Sequence, residues 1–287
     1  MENNYPFFIG IFLCTLIVSS CESQQPTFRS PDGYNLNNPT RFNMPNVLRE
    51  ISGITFDRGI ADTIYAEQDE EGKVFRFSLG KTGMQVTRFG KKGDFEDISI
   101  FKNYIIMLRS DGVLFTFPIS ESRKEETAQV KIFEDLLPAG EYEGIAADEM
   151  TQKIYVLCKH CRNEKTNKWG GGTILKMDTS GVLTPSGNFE LDIKEIDAMT
   201  DSTKINFHPS ALAQNPETRE WFILSSVNKL LVTTDPNWKV KSVYPLNPTI
   251  FEQPEGIAFD RKQNLYISNE RGLSSTATIL FFAYSKN

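Results

Sequence analysis

The sequence predicts an all-β fold: a single β-propeller, most consistent with five blades, with six as the alternative count. Three observations carry that expectation. One phrase recurs along the chain: Gln253–Gly272 (QPEGIAFDRKQNLYISNERG) is echoed at Ile51–Asp69, Asp94–Leu108, Glu141–Lys159 and Pro209–Ser226. Each copy reads as a short strand, a polar turn and a second strand, the pattern of a repeat architecture. The copies step by 44, 47, 67 and 45 residues, counted from Ser52 through Glu96, Glu143 and Ser210 to Glu255. Three of these steps match the ~40–50 residues of a propeller blade. Helical periodicity is almost absent beyond the apolar stretch near the N-terminus, which leaves alternation as the dominant pattern.

That apolar stretch is Phe7–Val18, FFIGIFLCTLIV. It is too short to span a bilayer comfortably and fits the core of a signal peptide. The run stops at Ser19-Ser20-Cys21, and Leu16–Cys21 resembles a lipobox, so residues 1–20 are expected to be removed and Cys21 to carry lipid. The segment before the apolar run, MENNYP, has no Lys or Arg. A plain secretory signal or a short anchor is the alternative. Residues 21–33 are polar, with Pro26 and Pro31, and read as a tether. Residues 34–287 form the expected propeller domain.

Within it, Tyr34–Leu48 supplies an outer strand ahead of the first blade. Blade one uses Ile51–Phe56, Thr63–Ala66, Lys73–Leu79 and Gln85–Phe89, and Val74-Phe75-Arg76-Phe77 alternates as a half-buried strand should. Blade two uses Phe95–Ile100, Tyr104–Leu108, Val113–Phe117 and Val130–Glu134, with Ser110-Asp111-Gly112 as a hairpin turn. Blade three has Ile145–Asp148, Ile154–Leu157, Thr173–Met177 and Val182–Leu191. Lys159–Gly172 interrupts it as a polar insertion ending in three glycines. Lys194–Ile205, a short helix or a long loop, accounts for the 67-residue step. Blade four follows with Ala211–Ala213, Trp221–Leu224, Lys229–Thr233 and Val240–Tyr244. Blade five has Gly256–Asp260, Leu265–Ser268 and Thr276–Tyr284, then the sequence given ends. Three strands at one end and a strand without a blade at the other imply closure of the ring by pairing the two, which removes exposed edges.

The net charge is -6 and the pI about 5.2, with no basic cluster, which argues against nucleic acid as a partner. Of 4 cysteines, Cys14 falls in the signal and Cys21 at the lipidation site, leaving Cys158 and Cys161 in CKHC. A zinc site lacks its second cysteine pair, and no βαβ pattern suggests a thioredoxin-like unit. A local disulfide, or two thiols at a strand end, remains.

In a propeller the starts of the innermost strands and the ends of the second strands share one face. Those positions collect Ser52, Glu96, Glu143, Ser210 and Glu255 from the starts, and Gln68, Asp69, Arg109, Lys159, Ser225, Asn228, Asn269 and Glu270 from the ends. Glutamates converging on one axis repel unless a cation or a proton intervenes. Oxygen donors suit a hard ion, so calcium is the natural candidate, with Glu96, Glu143, Glu255 and Asn269 as its ligands. Two alternatives stay open: Arg109 and Lys159 neutralise the glutamates, or each glutamate accepts backbone N–H groups at its own blade. The sequence contains no G-x-S-x-G elbow, Walker loop or dinucleotide fingerprint. The expected function is therefore a lipid-anchored envelope propeller that binds a ligand or partner. The rival is a divalent-metal-dependent hydrolase of lactonase or phosphoesterase type with its site at the channel mouth, where Glu96, Glu143 or Glu255 could serve as the base; His208, at a blade entrance, is either a further base or a hydrogen-bonded structural residue.

The phrases SGITFD, IYAEQDEEGKVFRF, GDFEDI, YEGIA, HPSALAQNPETREWFILSS and QPEGIAFD with LYISNE resemble the SdiA-regulated (YjiK-like) family of envelope β-propeller proteins, over roughly Leu48–Tyr284. That resemblance implies a propeller, association with the cell envelope and a calcium ion, and it implies no particular reaction. The CKHC-centred insertion and Lys194–Ile205 depart from the family pattern. A weaker similarity to gluconolactonase-like propellers comes from the E-G-I/A phrases.

Overall fold

A computed structural model describes residues 1–2, 28–161, 169–200, 205–272 and 276–286 of the chain. The chain folds as a five-bladed β-propeller, each blade an antiparallel sheet of four strands. Blade one is β2 (Ile51–Phe56), β3 (Ile64–Gln68), β4 (Glu71–Phe77) and β5 (Met84–Lys92). Blade two is β6 (Phe95–Phe101), β7 (Tyr104–Arg109), β8 (Leu114–Pro118) and β9 (Lys131–Phe133). Blade three is β10 (Gly140–Asp148), β11 (Lys153–Cys161), β12 (Trp169–Met177) and β13 (Leu183–Asp192), followed by the short helix α1 (Ile193–Ala198). Blade four is β14 (Ala211–Gln214), β15 (Trp221–Ser225), β16 (Leu230–Thr234) and β17 (Val240–Pro245). Blade five is β18 (Pro254–Phe259), β19 (Leu265–Asn269) and β20 (Thr278–Phe282), completed by β1 (Thr40–Asn43).

The expected closure is present. β1 lies antiparallel to β20, with Arg41 opposite Leu280 and Phe42 opposite Ile279. Just upstream, the Tyr34 hydroxyl donates to Gln263 O at 2.7 Å and accepts from Asn215 Nδ2 at 3.1 Å, pinning the N-terminal segment across blades four and five. The signal peptide expected over 1–20 and the lipidation site Cys21 lie outside the described residues, apart from Met1 and Glu2. Among the described residues no helix is long and apolar enough to cross a membrane.

Strand alternation builds the core. Trp221 and Ile223 of β15 face blade three, while Phe222 and Leu224 face blade five. Repeating this in every blade gives five apolar clusters, one at each blade-to-blade interface. Between blades three and four, Trp221 stacks on Trp238 at 4.5 Å, and Tyr155 meets Trp221 edge-on at 4.6 Å. Each such ring fully buried contributes about 1.5–3 kcal/mol.

One local reading is corrected and one open alternative is decided. Lys159–Gly172 is not wholly an insertion: β11 runs on through Cys161, and β12 takes in Gly170, Gly171 and Gly172. The glycines are there for close packing, since a Cβ on Gly172 would lie 1.8 Å from Val156 O. In Lys194–Ile205 the helix alternative holds, with Asp192 Oδ1 capping its first turn by accepting from Lys194 N at 2.9 Å.

The innermost strands β2, β6, β10, β14 and β18 pack side by side around the axis. The glycine of the repeated phrase is what lets them approach. At Gly256 a Cβ would sit 2.2 Å from Ser52 O and 2.4 Å from Ser268 Oγ. Gly256→Ala should therefore destabilise the fold by about 1–3 kcal/mol. Gly90→Ala should change little, because the nearest atom to its added Cβ would be 3.9 Å away. Urea unfolding of both variants reads the difference.

Candidate functional site

The starts of the innermost strands are not regular. In β18 the pairing jumps from Pro254–Asn269 to Gly256–Ser268, so Glu255 has no partner across the ladder. Glu96 is skipped in the same way between Phe95 and Asp97, and Glu143 between Tyr142 and Gly144. In blade one the jump spans Ser52 and Gly53. An extra residue in one strand of a pair is a β-bulge, and it re-aims a side chain. Here the re-aimed side chains are the glutamates of the repeated phrase, and they line a cavity of about 190 Å³ at one mouth of the channel.

Glu96, Glu143 and Glu255 share that cavity with Asp69, Asp94, Glu141 and Glu270. Ser52, Ser210, Ser226 and His208 complete much of its wall. Among the described residues lining it, Lys159 carries the one fixed positive charge. Its Nζ lies 2.7 Å from Glu143 Oε1 and 3.2 Å from Glu141 Oε1. Arg109 instead turns outward and pairs with Asp111 at 2.7 Å, so of the two expected neutralising cations only Lys159 reaches the glutamates. Asn269 is not on this cavity. Its Nδ2 donates to Ile250 O at 3.1 Å and it lines a neighbouring pocket, while its Oδ1 is buried without a partner. Asn228 braces the loop before β14, accepting from His208 N at 2.9 Å and from Ser225 Oγ at 2.8 Å. Gln68 donates to Glu71 at 3.3 Å.

Burial dominates the electrostatics. It pushes Glu270 up to about 8, with Glu255 and Asp69 adding repulsion. It pushes Asp69 up to about 6, helped by Glu50 and Glu70. Glu96 is raised by burial and then by Glu143, and Glu255 by burial against the hydrogen bond from Ser226. Glu143 is also raised by burial, although Lys159 holds it down. For Lys159, burial works against the charge but the bonds to Glu143 and Glu141 outweigh it, and its pKa is raised. Burial, then the neighbouring His160 and Lys159, lowers the pKa of His208.

Two further acids lie deeper and were not expected. Glu67, with no exposed surface, sits opposite the blade-one bulge and accepts from Gly53 N at 2.6 Å. Its other oxygen has no partner, and burial raises its pKa well above the ordinary range. Asp97 stands where three other blades carry Gly53, Gly144 and Gly256 and blade four carries Ala211. It accepts from Ile98 N at 2.8 Å and, across the blade boundary, from Ile145 N at 2.7 Å. The serines act similarly: Ser268 Oγ donates to Ser52 O at 2.5 Å and Ser210 Oγ to Pro254 O at 3.0 Å. These side chains satisfy backbone groups at the hub. At the rim, Cys158 and Cys161 form a disulfide at the end of β11, the local bridge left open by the sequence.

A closed ring of five four-stranded sheets with an acidic mouth defines a repeat-built propeller. The chain belongs to the SdiA-regulated family, which it matches over residues 32–273. No curated protein matches it in sequence. Among solved structures it is similar to a glutaminyl cyclase from Myxococcus xanthus, at 12% identity and a TM-score of 0.53, covering 86% of this chain and 95% of the other. It is also similar to regucalcin, described as a calcium-binding protein, from Agrobacterium tumefaciens, at 13% identity and a TM-score of 0.51, covering 88% and 95%. At these identities the likeness is one of fold.

Carboxyls with raised pKa values hold protons that the unfolded chain has already released. Their contribution to stability is therefore present at low pH and lost as pH rises through the folded values. In metal-free buffer the melting temperature should fall steadily from pH 5 to pH 8, the range set by Asp69 and Glu270. Glu270→Gln should flatten the upper part of that slope. Calorimetric scans across the range provide the check.

Proposed function

We propose that this protein is a binding module of the cell envelope, anchored to the membrane through lipid on Cys21, whose hub takes up calcium. The observation that carries the reading is the convergence of Glu96, Glu143 and Glu255, with Asp69 and Glu270, on one buried mouth where, among the described lining residues, Lys159 is the one fixed cation, with Lys229 acting on Glu255 from outside the lining. The donor chemistry fits: carboxylate oxygens are what a hard divalent ion takes. Asp69 Oδ1, buried and without a partner, adds an oxygen seeking a positive charge. Among the described residues no group of three acidic, histidine or cysteine side chains is already arranged for a metal. Calcium would thus be held by Glu96, Glu143 and Glu255 after they draw together, in competition with the Lys159 ammonium for Glu143. Bound there, it would neutralise the mouth and offer its remaining positions to an oxygen-bearing ligand or partner. Asn269 stands apart from this set.

Titration with calcium chloride, followed by calorimetry and thermal unfolding at pH 7.5, tests the hub. Binding should raise the melting temperature, disappear in Glu255→Gln, and strengthen in Lys159→Gln, which removes the competitor. No heat and no shift at millimolar calcium would rule the calcium reading out. For the anchor, incorporation of a clickable fatty acid into the bacterial protein should be lost in Cys21→Ser.

His208 on the cavity wall, its pKa lowered by burial, favours a second reading, a divalent-metal-dependent hydrolase in which the mouth glutamates would hold the ion, the ion would supply Lewis acidity, and this ring would serve as general base. Calcium-dependent turnover of a lactone or phosphoester, lost in both His208→Ala and Glu255→Gln, would establish it over the binding module.

A further inference from the structure

The chain contains 2 histidines, and the fold brings them together. His160 ends the hairpin of blade three, and His208 precedes the first strand of blade four. Their ring centroids are 4.9 Å apart, with the planes inclined at 57°. Between them and the disulfide lies a pocket of about 150 Å³, separate from the carboxylate cavity but sharing Lys159, His208 and Pro209 with it.

We propose that His160 and His208 form a bis-imidazole site for a borderline transition ion, zinc above all, at the rim of the channel mouth. Two imidazoles on one tetrahedral zinc, at Zn–N distances of about 2.0–2.1 Å, place their ring centroids about 5 Å apart, the spacing found here. Each ring also has a polar partner at one nitrogen. His160 Nδ1 lies 2.8 Å from Glu141 Oε2, the carboxylate–histidine pairing that fixes the tautomer and leaves Nε2 for the ion. His208 Nε2 lies 2.7 Å from Asn206 Nδ2, which donates to it; turning the amide over so that its oxygen accepts from Nε2–H frees Nδ1 for the ion. The Asn206 amide has an oxygen as well as a nitrogen to present, so it serves either tautomer of that ring.

The framework around both rings is held. The Cys158–Cys161 bridge clamps the strand end that carries His160. Asn228 accepts from the His208 backbone N–H and donates to Asn206 O at 3.1 Å, fixing the second ring's segment. Lys159 points away to Glu143 and Glu141, so its ammonium is bound to carboxylates. Imidazole nitrogen selects zinc, copper or nickel, whereas the carboxylate oxygens below select calcium, so the two sites sort different ions. With two protein ligands the ion keeps exchangeable positions that face whatever enters the channel. This inference does not depend on the hub holding calcium.

Zinc chloride titrated calorimetrically into protein without a polyhistidine tag, with and without calcium, tests it. One zinc should bind per chain in both conditions. His160→Ala and His208→Ala should each weaken binding at least tenfold, and Glu141→Gln about tenfold through loss of the orienting carboxylate. Cobalt in place of zinc gives an independent readout, a visible absorption band that vanishes in either histidine variant. Absence of zinc binding up to the millimolar range overturns the proposal, as does an affinity unchanged by removal of either ring.

Discussion

The β-bulge at the start of the innermost strands is the constraint on which the channel mouth depends. In a regular ladder Glu96, Glu143 and Glu255 would alternate with their neighbours into the blade interfaces, where apolar clusters leave them no partner. The extra residue turns each out of the ladder and into the channel. The same irregularity takes backbone groups off the ladder. A closed hub has little water to satisfy them, so side chains do it: Glu67 for Gly53, Asp97 for Ile145, Ser210 for Pro254, Ser268 for Ser52. Acidity at the mouth and polarity in the channel thus have one local cause.

A consequence is that the site and the closure of the ring are coupled. Three of those four hydrogen bonds join neighbouring blades, so the hub is stitched where the strands come closest. Five apolar clusters hold the blades farther out, and β1 on β20 ties the last blade to the first. Charge gathered on the axis works against this stitching, because carboxylates brought out of water repel and lose hydration. Protons relieve that repulsion at low pH. At neutral pH Lys159 relieves it for Glu143 and Glu141, but Glu96 and Glu255 have no comparable ion pair among the described residues.

The blade plan was legible because its information is periodic: one phrase, E-G-I in blades three and five and S-G-I, E-D-I and S-A-L in the others, marks each innermost strand, and the unmatched strands at the two ends call for closure. The family match over residues 32–273 spans all five copies of the phrase. Much of the mouth was legible too, since Glu96, Glu143, Glu255, Asp69, Glu270 and Lys159 follow from strand starts and ends. What the rule missed is side-chain direction. Arg109 and Lys159 hold equivalent strand ends, yet Asp111 two residues on captures the first by a bidentate pair, as a tight turn allows. Asn269 likewise turns toward Ile250 O and Thr278. Asp97 left a signal, an acid where three of its repeats carry glycine and one carries alanine. Glu67 left a fainter one, an acid inside an otherwise apolar strand. The pairing of His160 with His208 had none, because the hairpin extends farther than its polar composition suggested.

Lys159 then becomes the residue that explains why so acidic a mouth can exist before any ligand arrives. Burial alone would favour an uncharged lysine, yet two carboxylates within 3.2 Å keep it charged. It is placed at a strand end one residue from the disulfide, so its backbone is fixed while its long stem is not. An ammonium on a flexible stem can leave when a stronger cation comes, whereas a guanidinium locked in a bidentate pair, as Arg109 is with Asp111, cannot do so cheaply. A lysine here and an arginine there therefore differ in what they hold: one neutralises two carboxylates at the mouth from a flexible stem, the other secures a turn on the outside.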